Sequence, residues 1–561
     1  MAFSVGIDLG TTNTVVSTAR VGVTGAVEVT TEKITQITDD WEMVEDALLP
    51  SILYVDAGER FVGRRAKAMK DQNTSRVIFN SKNFIGDETV KWCIDNQVYT
   101  PELVASYFLS AVRKHLMSKY NSEESLKSAV ITVPASFELD QKNATINAAK
   151  MAGFDDSIVL ISEPTAAMLD FINEQMKIED AHRDLDFRNF KKVLVFDLGG
   201  GTCDVAILSI KMQGKEIHVE ELGVSQHTLV GGTNFDIYAL NGVIADYEKQ
   251  NNVSLKKILT PEKYTELQAT LNVRLEQAKM RFSSQYFTRK DNYSDYKKLT
   301  EDLKVTIQIP YILNGEPFKF DLTMARYNTY ISPLLSEENS HENIITPIDE
   351  AIRASGISKS DLDYVFCVGG MTKYPEIKTA VSEYLNKPIY DYFDTMRSVS
   401  RGASIYHHYK IIQVNGSQSD VEFDLVPALP QSIFVGVKNS FPKLLIEEGT
   451  KAGTPYIFEP FAKIESEMGV YIELYSGLSY FDPKLKRLRG LNIEFPHGVP
   501  SGSNISLKVE YTNEGVLNIE TWLTDDPTVK GNLCLVGTDL TGEDIIEMNK
   551  EFGIQEVGGT C

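Results

Sequence analysis

Two short stretches of this chain carry residues that could hold a phosphate and a metal ion. The first is Asp8-Leu9-Gly10-Thr11-Thr12-Asn13, at the end of the apolar run Val5-Gly6-Ile7. The second, Asp197-Leu198-Gly199-Gly200-Gly201-Thr202-Cys203-Asp204, follows Val193-Leu194-Val195-Phe196. Glycine lets the backbone turn tightly and approach a ligand closely, while successive N–H groups and threonine hydroxyls form an anion cradle. An aspartate at each strand end suits hydrated Mg2+, which binds phosphates through one or two carboxylates plus water. One such turn alone is usually an ordinary hairpin; two copies, each with an Asp and a Thr, are a stronger signal. No GxxxxGK[ST] pattern occurs, so this is not a P-loop site, and the second glycine run lacks the spacing of a dinucleotide fingerprint.

The elements that must position these residues are readable too. Each glycine turn is followed by another apolar run, Val15-Val16 or Val205 to Leu208, so each reads as strand, turn, strand. Two such hairpins in separate halves predict two similar α/β lobes with a cleft between them. Helices are expected after the cap Thr100-Pro101, over 140–151, and from Pro261 to about Ser284 with Leu267, Leu271, Leu275, Ala278 and Phe282 inward. The stretch 284–319 reads as an elaborated loop or hairpin. We therefore expect lobes over about 1–185 and 186–410, a linker over 411–428 and an antiparallel β domain over 429–525. Residues 526–561 read as a tail with one short helix around Glu543 to Phe552, too short for a helical bundle.

The chain has 561 residues and a net charge of -22. That balance argues against nucleic acid or an anionic membrane as the main partner. Five scattered cysteines without zinc-ligand spacing point to a reducing compartment. The N-terminus lacks the pattern of a signal peptide and no apolar run is long enough to span a membrane, so a cytoplasmic protein is expected.

Several motifs, in order, resemble those of the seventy-kilodalton heat-shock (heat shock protein 70) chaperones. They are Ile7 to Asn13, Thr132-Val133-Pro134-Ala135, Glu163-Pro164-Thr165-Ala166-Ala167, Phe196 to Asp204, Gly231 to Asp236 and Val368 to Pro375. The resemblance implies an actin-like two-lobed ATPase followed by a β-sandwich, working as an ATP-dependent chaperone on unfolded or extended polypeptides. It implies ATP or ADP with Mg2+, K+ as a further candidate ion, and a nucleotide-exchange factor as a partner. By that resemblance Gly10, Thr11, Thr12, Asn13, Gly199, Gly200, Gly201 and Thr202 meet phosphates, and Asp8 and Asp197 position Mg2+ and the attacking water. Glu163 stands beside that water, and Lys67 matches the catalytic lysine; taken alone, a lysine after Arg64-Arg65 is a solvated surface charge. Gly231 and Gly232 approach ribose and phosphates, while Gly369 and Gly370 lie under the nucleoside.

On the long helix Glu276, Lys279, Met280 and Ser283 fall on one stripe. Without context it is a solvated flank; the resemblance assigns Glu276 and Lys279 to the ribose and Ser283 to the adenine edge. The chain also departs from the family pattern. Met280 replaces an adenine-stacking arginine, and Met371, Lys373, Met396 and Arg397 alter other sides of the pocket. Val159 and Ser162 stand where the family carries residues that serve J-domain co-chaperones and the linker, which counts against a standard J-domain partner. Cys203 replaces an aromatic and reads as a small buried hydrophobe. Hydrolysis with slow turnover is expected. The alternatives are a nucleotide-gated scaffold for one dedicated partner, or an actin-like or sugar-kinase-type ATPase.

Overall fold

The computed structural model describes residues 3–535 except 23–26, 71, 156–157, 179–182, 184, 215, 227, 338–341, 392–393, 395, 415–421, 437–440, 465–468, 482–484, 489–490, 496–497 and 513–515. The helix expected around Glu543 to Phe552 lies outside the described residues.

β-branched and apolar runs build two central sheets of the same plan. In the first, the path runs Val159–Ser162, Val130–Val133, Ser4–Leu9, Asn13–Val21, Val27–Thr31. In the second it runs Ile389–Tyr390, Tyr364–Val368, Lys191–Leu198, Cys203–Gln213, Glu216–Val224, with one further strand at the edge. The directions match as well. The third strand in each path is parallel to the second and antiparallel to the fourth. The hairpins agree down to their turns: Gly10 N–H donates to the Asn13 carbonyl at 3.1 Å, and Gly199 N–H to Thr202 at 3.0 Å.

That edge strand is Glu422–Val426, part of the segment expected to link the domains. It lies parallel to Glu216–Val224, from Glu216↔Glu422 to Glu220↔Val426. Alternation explains it. Phe423 turns inward, stacking on Tyr409 with ring centroids 5.4 Å apart, and Asp424 stays exposed. The long helix extends further than expected, over Pro261–Arg289, and 284–319 is resolved into its last turns, the helix Tyr296–Asp302 and the hairpin Lys304–Leu313 with Glu316–Thr323.

The residues after Pro427 form two sheets, one of Ser432–Val435, Lys443–Ile446, Leu474–Gly477 and Lys486–Arg487, the other of six strands from Pro455 to Leu535. They share one apolar core, including Ile433, Leu474, Ile493, Leu507 and Val509. This unit rests on both lobes. Lys142 Nζ donates to Tyr511 Oη at 3.0 Å, Lys486 pairs with Glu138 at 3.0 Å, Arg353 with Glu448 at 3.0 Å, and Lys451 with Glu220. No helix among the described residues is long and apolar enough to cross a membrane.

The helix Ser398–Val414 comes late in the chain yet packs on the first strand, Ser4–Leu9. Its buried His407 accepts the Val5 N–H at Nδ1 (2.8 Å) and places Nε2 3.0 Å from Ser128 Oγ. Burial pushes this imidazole down to about 4, against 6.5 ordinarily. The unfolded histidine binds its proton first, so stability is complete above about 6.5 and falls as pH drops through 4. In thermal melts between pH 7 and pH 4.5 the wild type should lose on the order of 2 kcal/mol more than His407→Gln, which keeps an acceptor without a titration. Equal losses would show that His407 is not the acid-sensitive contact.

Candidate functional site

The two glycine turns meet across the cleft. A Cβ on Gly200 would stand 1.9 Å from Thr12 Oγ1, so only glycine lets the turns come this close. Beside them Thr11 Oγ1 lies 3.3 Å from Asn83 Oδ1. Behind the second turn, Gly232 N–H donates to the Gly199 carbonyl (3.0 Å) and Thr233 N–H to Gly200 (2.9 Å). The helix Gly232–Asn251 therefore starts against the loop. Gly369 has a left-handed φ of 84° that brings its backbone onto Asp197, where a Cβ would lie 2.4 Å from Oδ1.

Beneath the turns lies a buried set of charges. Lys82, on the short turn Ser81–Phe84, places Nζ 2.5 Å from Glu163 Oε1, and both side chains are almost fully covered. Asp8, Asp197 and Asp204 surround the pair. Burial would lower Lys82, but the charges of Glu163, Asp8 and Asp204 outweigh it and hold the ammonium above its ordinary value. Burial and the neighbouring Glu163 push Asp8 up to about 7. Asp197 is driven well above the usual carboxylate range by burial, then by Glu163, Asp204 and Asp8. Asp204 is raised by burial and eased by its hydrogen bond from Ser136 and by Lys82.

Four carboxylates facing one lysine leave room for a further cation. Among the described residues no three acidic, histidine or cysteine side chains close into a metal cage. A divalent ion here would be shared between one or two carboxylates, phosphate oxygens and water, which is how Mg2+ is commonly bound.

Of the residues singled out in the sequence, Asp8, Thr11, Thr12, Glu163, Asp197, Gly200, Gly201, Gly231 and Gly369 lie together here, and Lys67 does not. Lys67 sits solvent-exposed on the helix Arg64–Met69, where its ammonium makes no hydrogen bond or ion pair among the described residues. The buried lysine is Lys82. Nothing local marks it, because Asn80-Ser81-Lys82-Asn83 is a polar run whose burial comes from partners such as Glu163, 81 positions away. Asn83, Ser136 and Asp204 also lie at the cleft, and no local pattern marks them.

On the nucleoside side, Lys279 Nζ is committed to Asp236 Oδ1 at 2.7 Å, both buried. Ser283 Oγ donates to the Lys373 carbonyl at 2.5 Å. Glu276 is half-buried and close enough to raise Asp236 electrostatically, while Met280 is 65% exposed. Gly370 approaches Met396, and Gly232 approaches Met371.

A model of the Hsp70 protein family matches residues 4–551. The chain belongs to the Hsp70 family. It is an ATP-dependent molecular chaperone and an ATPase. It is similar to the chaperone protein DnaK of Thermoplasma volcanium, 27% identical over 576 aligned positions, covering 98% of this chain and 81% of that relative. DnaK of Thermus thermophilus is 29% identical, with 92% and 78% covered. DnaK of Halobacterium salinarum is 26% identical, with 90% and 73% covered.

The two lysines separate in a direct test. Lys82→Met should lower the single-turnover rate of ATP hydrolysis by roughly 100-fold or more, the scale of removing a positioned electrostatic group. Lys67→Met should leave it within about twofold, as expected for a solvated surface charge. The reverse ranking would return the catalytic role to Lys67.

Proposed function

We propose that the cleft binds ATP with its phosphates between the facing turns, and that the charges beneath them drive hydrolysis. One observation carries this reading: two hairpins of identical plan meet over a buried lysine ringed by four carboxylates. The N–H groups of Gly10, Gly199, Gly200 and Gly201 and the hydroxyls of Thr11, Thr12 and Thr202 cradle phosphate oxygens. Asn13 closes the first turn. Phosphoryl transfer asks a protein mainly for positioning and charge stabilisation. Lys82 supplies the positive charge nearest the transferred group, and Glu163 holds that ammonium in place. Asp197 and Glu163 flank the attacking water, Asp197 from the second sheet and Glu163 from the first turn of its helix. Asp8 and Asp197 are the residues that would hold Mg2+, which when bound neutralises phosphate charge.

Gly231 and Gly232 face ribose and phosphates, and Gly369 and Gly370 form the floor under the nucleoside. Glu276 and Lys279 face the ribose, Lys279 being oriented by Asp236. Ser283 and Met280 flank the base. The two sheets after Pro427 form the β-sandwich that binds extended segments of unfolded polypeptide. A cytoplasmic setting suits Cys93, Cys203 and Cys367, which are free thiols. The test is coupling: a synthetic unfolded peptide should speed ATP hydrolysis, and ATP with Mg2+ should speed release of the bound peptide. Failure of both would leave an ATPase without a client cycle.

Met280 offers a graded check of the base position. Restoring a cation with Met280→Arg should tighten ATP binding by about twofold to thirtyfold, the range of a cation–π contact. Calorimetric titration measures it. An unchanged affinity would remove Met280 from the base pocket.

A further inference from the structure

A turn of the first lobe packs against the buried charges at the base of the cleft. Pro134-Ala135-Ser136-Phe137 follows the strand Val130–Val133 and leads into the helix Leu139–Met151, and the Phe137 N–H donates to the Pro134 carbonyl at 3.1 Å. Ser136 and Phe137 are each 1% exposed, and they reach different members of the charge set. Phe137 places its ring centroid 5.6 Å from Lys82 Nζ. Ser136 donates its hydroxyl to Asp204 Oδ1, and its backbone N–H bonds the same carboxylate.

Asp204 belongs to the other lobe. It lies on the strand Cys203–Gln213, directly across the hairpin from Asp197, and is as deeply buried as Ser136. Its charge helps to hold Lys82 as an ammonium. Its other hydroxyl donor, Thr202, stands two residues away on the same hairpin, so Ser136 is the hydroxyl that ties Asp204 to the opposite lobe. A buried carboxylate needs hydrogen-bond donors to be tolerated, and each donor also fixes its orientation.

We infer that Ser136 is a positioning residue for ATP hydrolysis: its hydroxyl fixes the Asp204 carboxylate from the opposite lobe, and so keeps Lys82 and Asp197 in their places beside it. A serine that only filled space could be any small residue, whereas this one spends its proton inside the charge set. Phe137 covers Lys82 from the same turn, so one short segment restrains an anion and a cation together. Ser136 belongs to neither the glycine turns nor the nucleoside side, so its loss acts on the turnover of bound ATP more than on binding. This inference rests on the assignment of Lys82 and Asp197 to the hydrolytic site.

The full-length chain tests it with Ser136→Ala and the conservative Ser136→Thr, which keeps the hydroxyl. ATP affinity, the rate constant and amplitude of a single turnover with Mg2+, and hydrogen–deuterium exchange of a peptide covering 200–208 without nucleotide are read. Ser136→Ala should lower the rate constant by about tenfold or more, the scale of one hydrogen bond to a charged group, with ATP affinity within about twofold. Ser136→Thr should restore most of the rate, and exchange at 200–208 should rise in the alanine variant alone. If that variant folds poorly, the near-isosteric Ser136→Cys, whose thiol is a weak donor, should show the same slowing in smaller measure. A merely structural serine would lower the amplitude and leave the rate constant of the folded fraction unchanged, which would overturn the inference. Equal slowing by alanine and threonine would overturn it too, since the hydroxyl would then not be the group that acts. If the unaltered chain does not hydrolyse ATP, the site assignment fails instead. Exchange at 200–208 needs no turnover, and an unchanged value in Ser136→Ala would remove the tie to Asp204 on its own.

Discussion

The carboxylates at the base of the cleft are carried in surroundings that solvate charge poorly, and one ammonium, Lys82, is placed to offset them. Its contact with Glu163 at 2.5 Å connects the short turn Ser81–Phe84 to the first turn of the Glu163–Met176 helix. Asp8 and Asp197 come from the third strands of the two sheets and reach the same volume. Breaking such a pair by removing one partner leaves an uncompensated buried charge, which is far costlier than the pair's net worth. The carboxylates outnumber Lys82, and that excess of negative charge, which together with burial raises Asp8 and Asp197, favours a further cation in the cleft.

Duplication of the sheet plan explains why the turns face each other. Each hairpin ends on its own glycine loop with the same backbone bond closing it, so bringing the lobes together stacks two equivalent loops. A shared apolar core lies behind them, with Val130, Ala166 and Met168 from the first lobe and Val193, Val195 and Phe366 from the second. Tyr406, Tyr409 and Phe423 extend that core to the interdomain strand. Phe423 of the interdomain strand thus packs into the same core as the sheet that carries Asp197.

The hairpins were legible because their signal is local: an apolar run, an Asp, glycines and a Thr within about ten residues suffice to specify a turn. The parallel pairing of Glu422–Val426 was half legible. Alternation of Phe423 and Leu425 with Glu422 and Asp424 is a strand pattern, but the edge it joins is set by tertiary structure. Lys82 was not legible. A lysine in a polar run is ordinarily solvated, and only the distant Glu163 and Asp8 make it otherwise. Lys67 matches the family's lysine only through its flanking residues, a pattern that carries no information about burial.

The balance of forces at the domain junction favours a reversible contact. Arg353–Glu448, Lys451–Glu220 and Lys486–Glu138 each have one well-exposed cationic partner, and such pairs are individually worth about 0–1 kcal/mol and weaken with salt. Lys142 with Tyr511 is better covered, and Phe423 buries one aromatic ring. Against these stands the entropy of ordering the interdomain segment, about 1–2 kcal/mol for each backbone residue held. Against that ordering cost the covered Lys142 and Phe423 contacts weigh more than the exposed ion pairs.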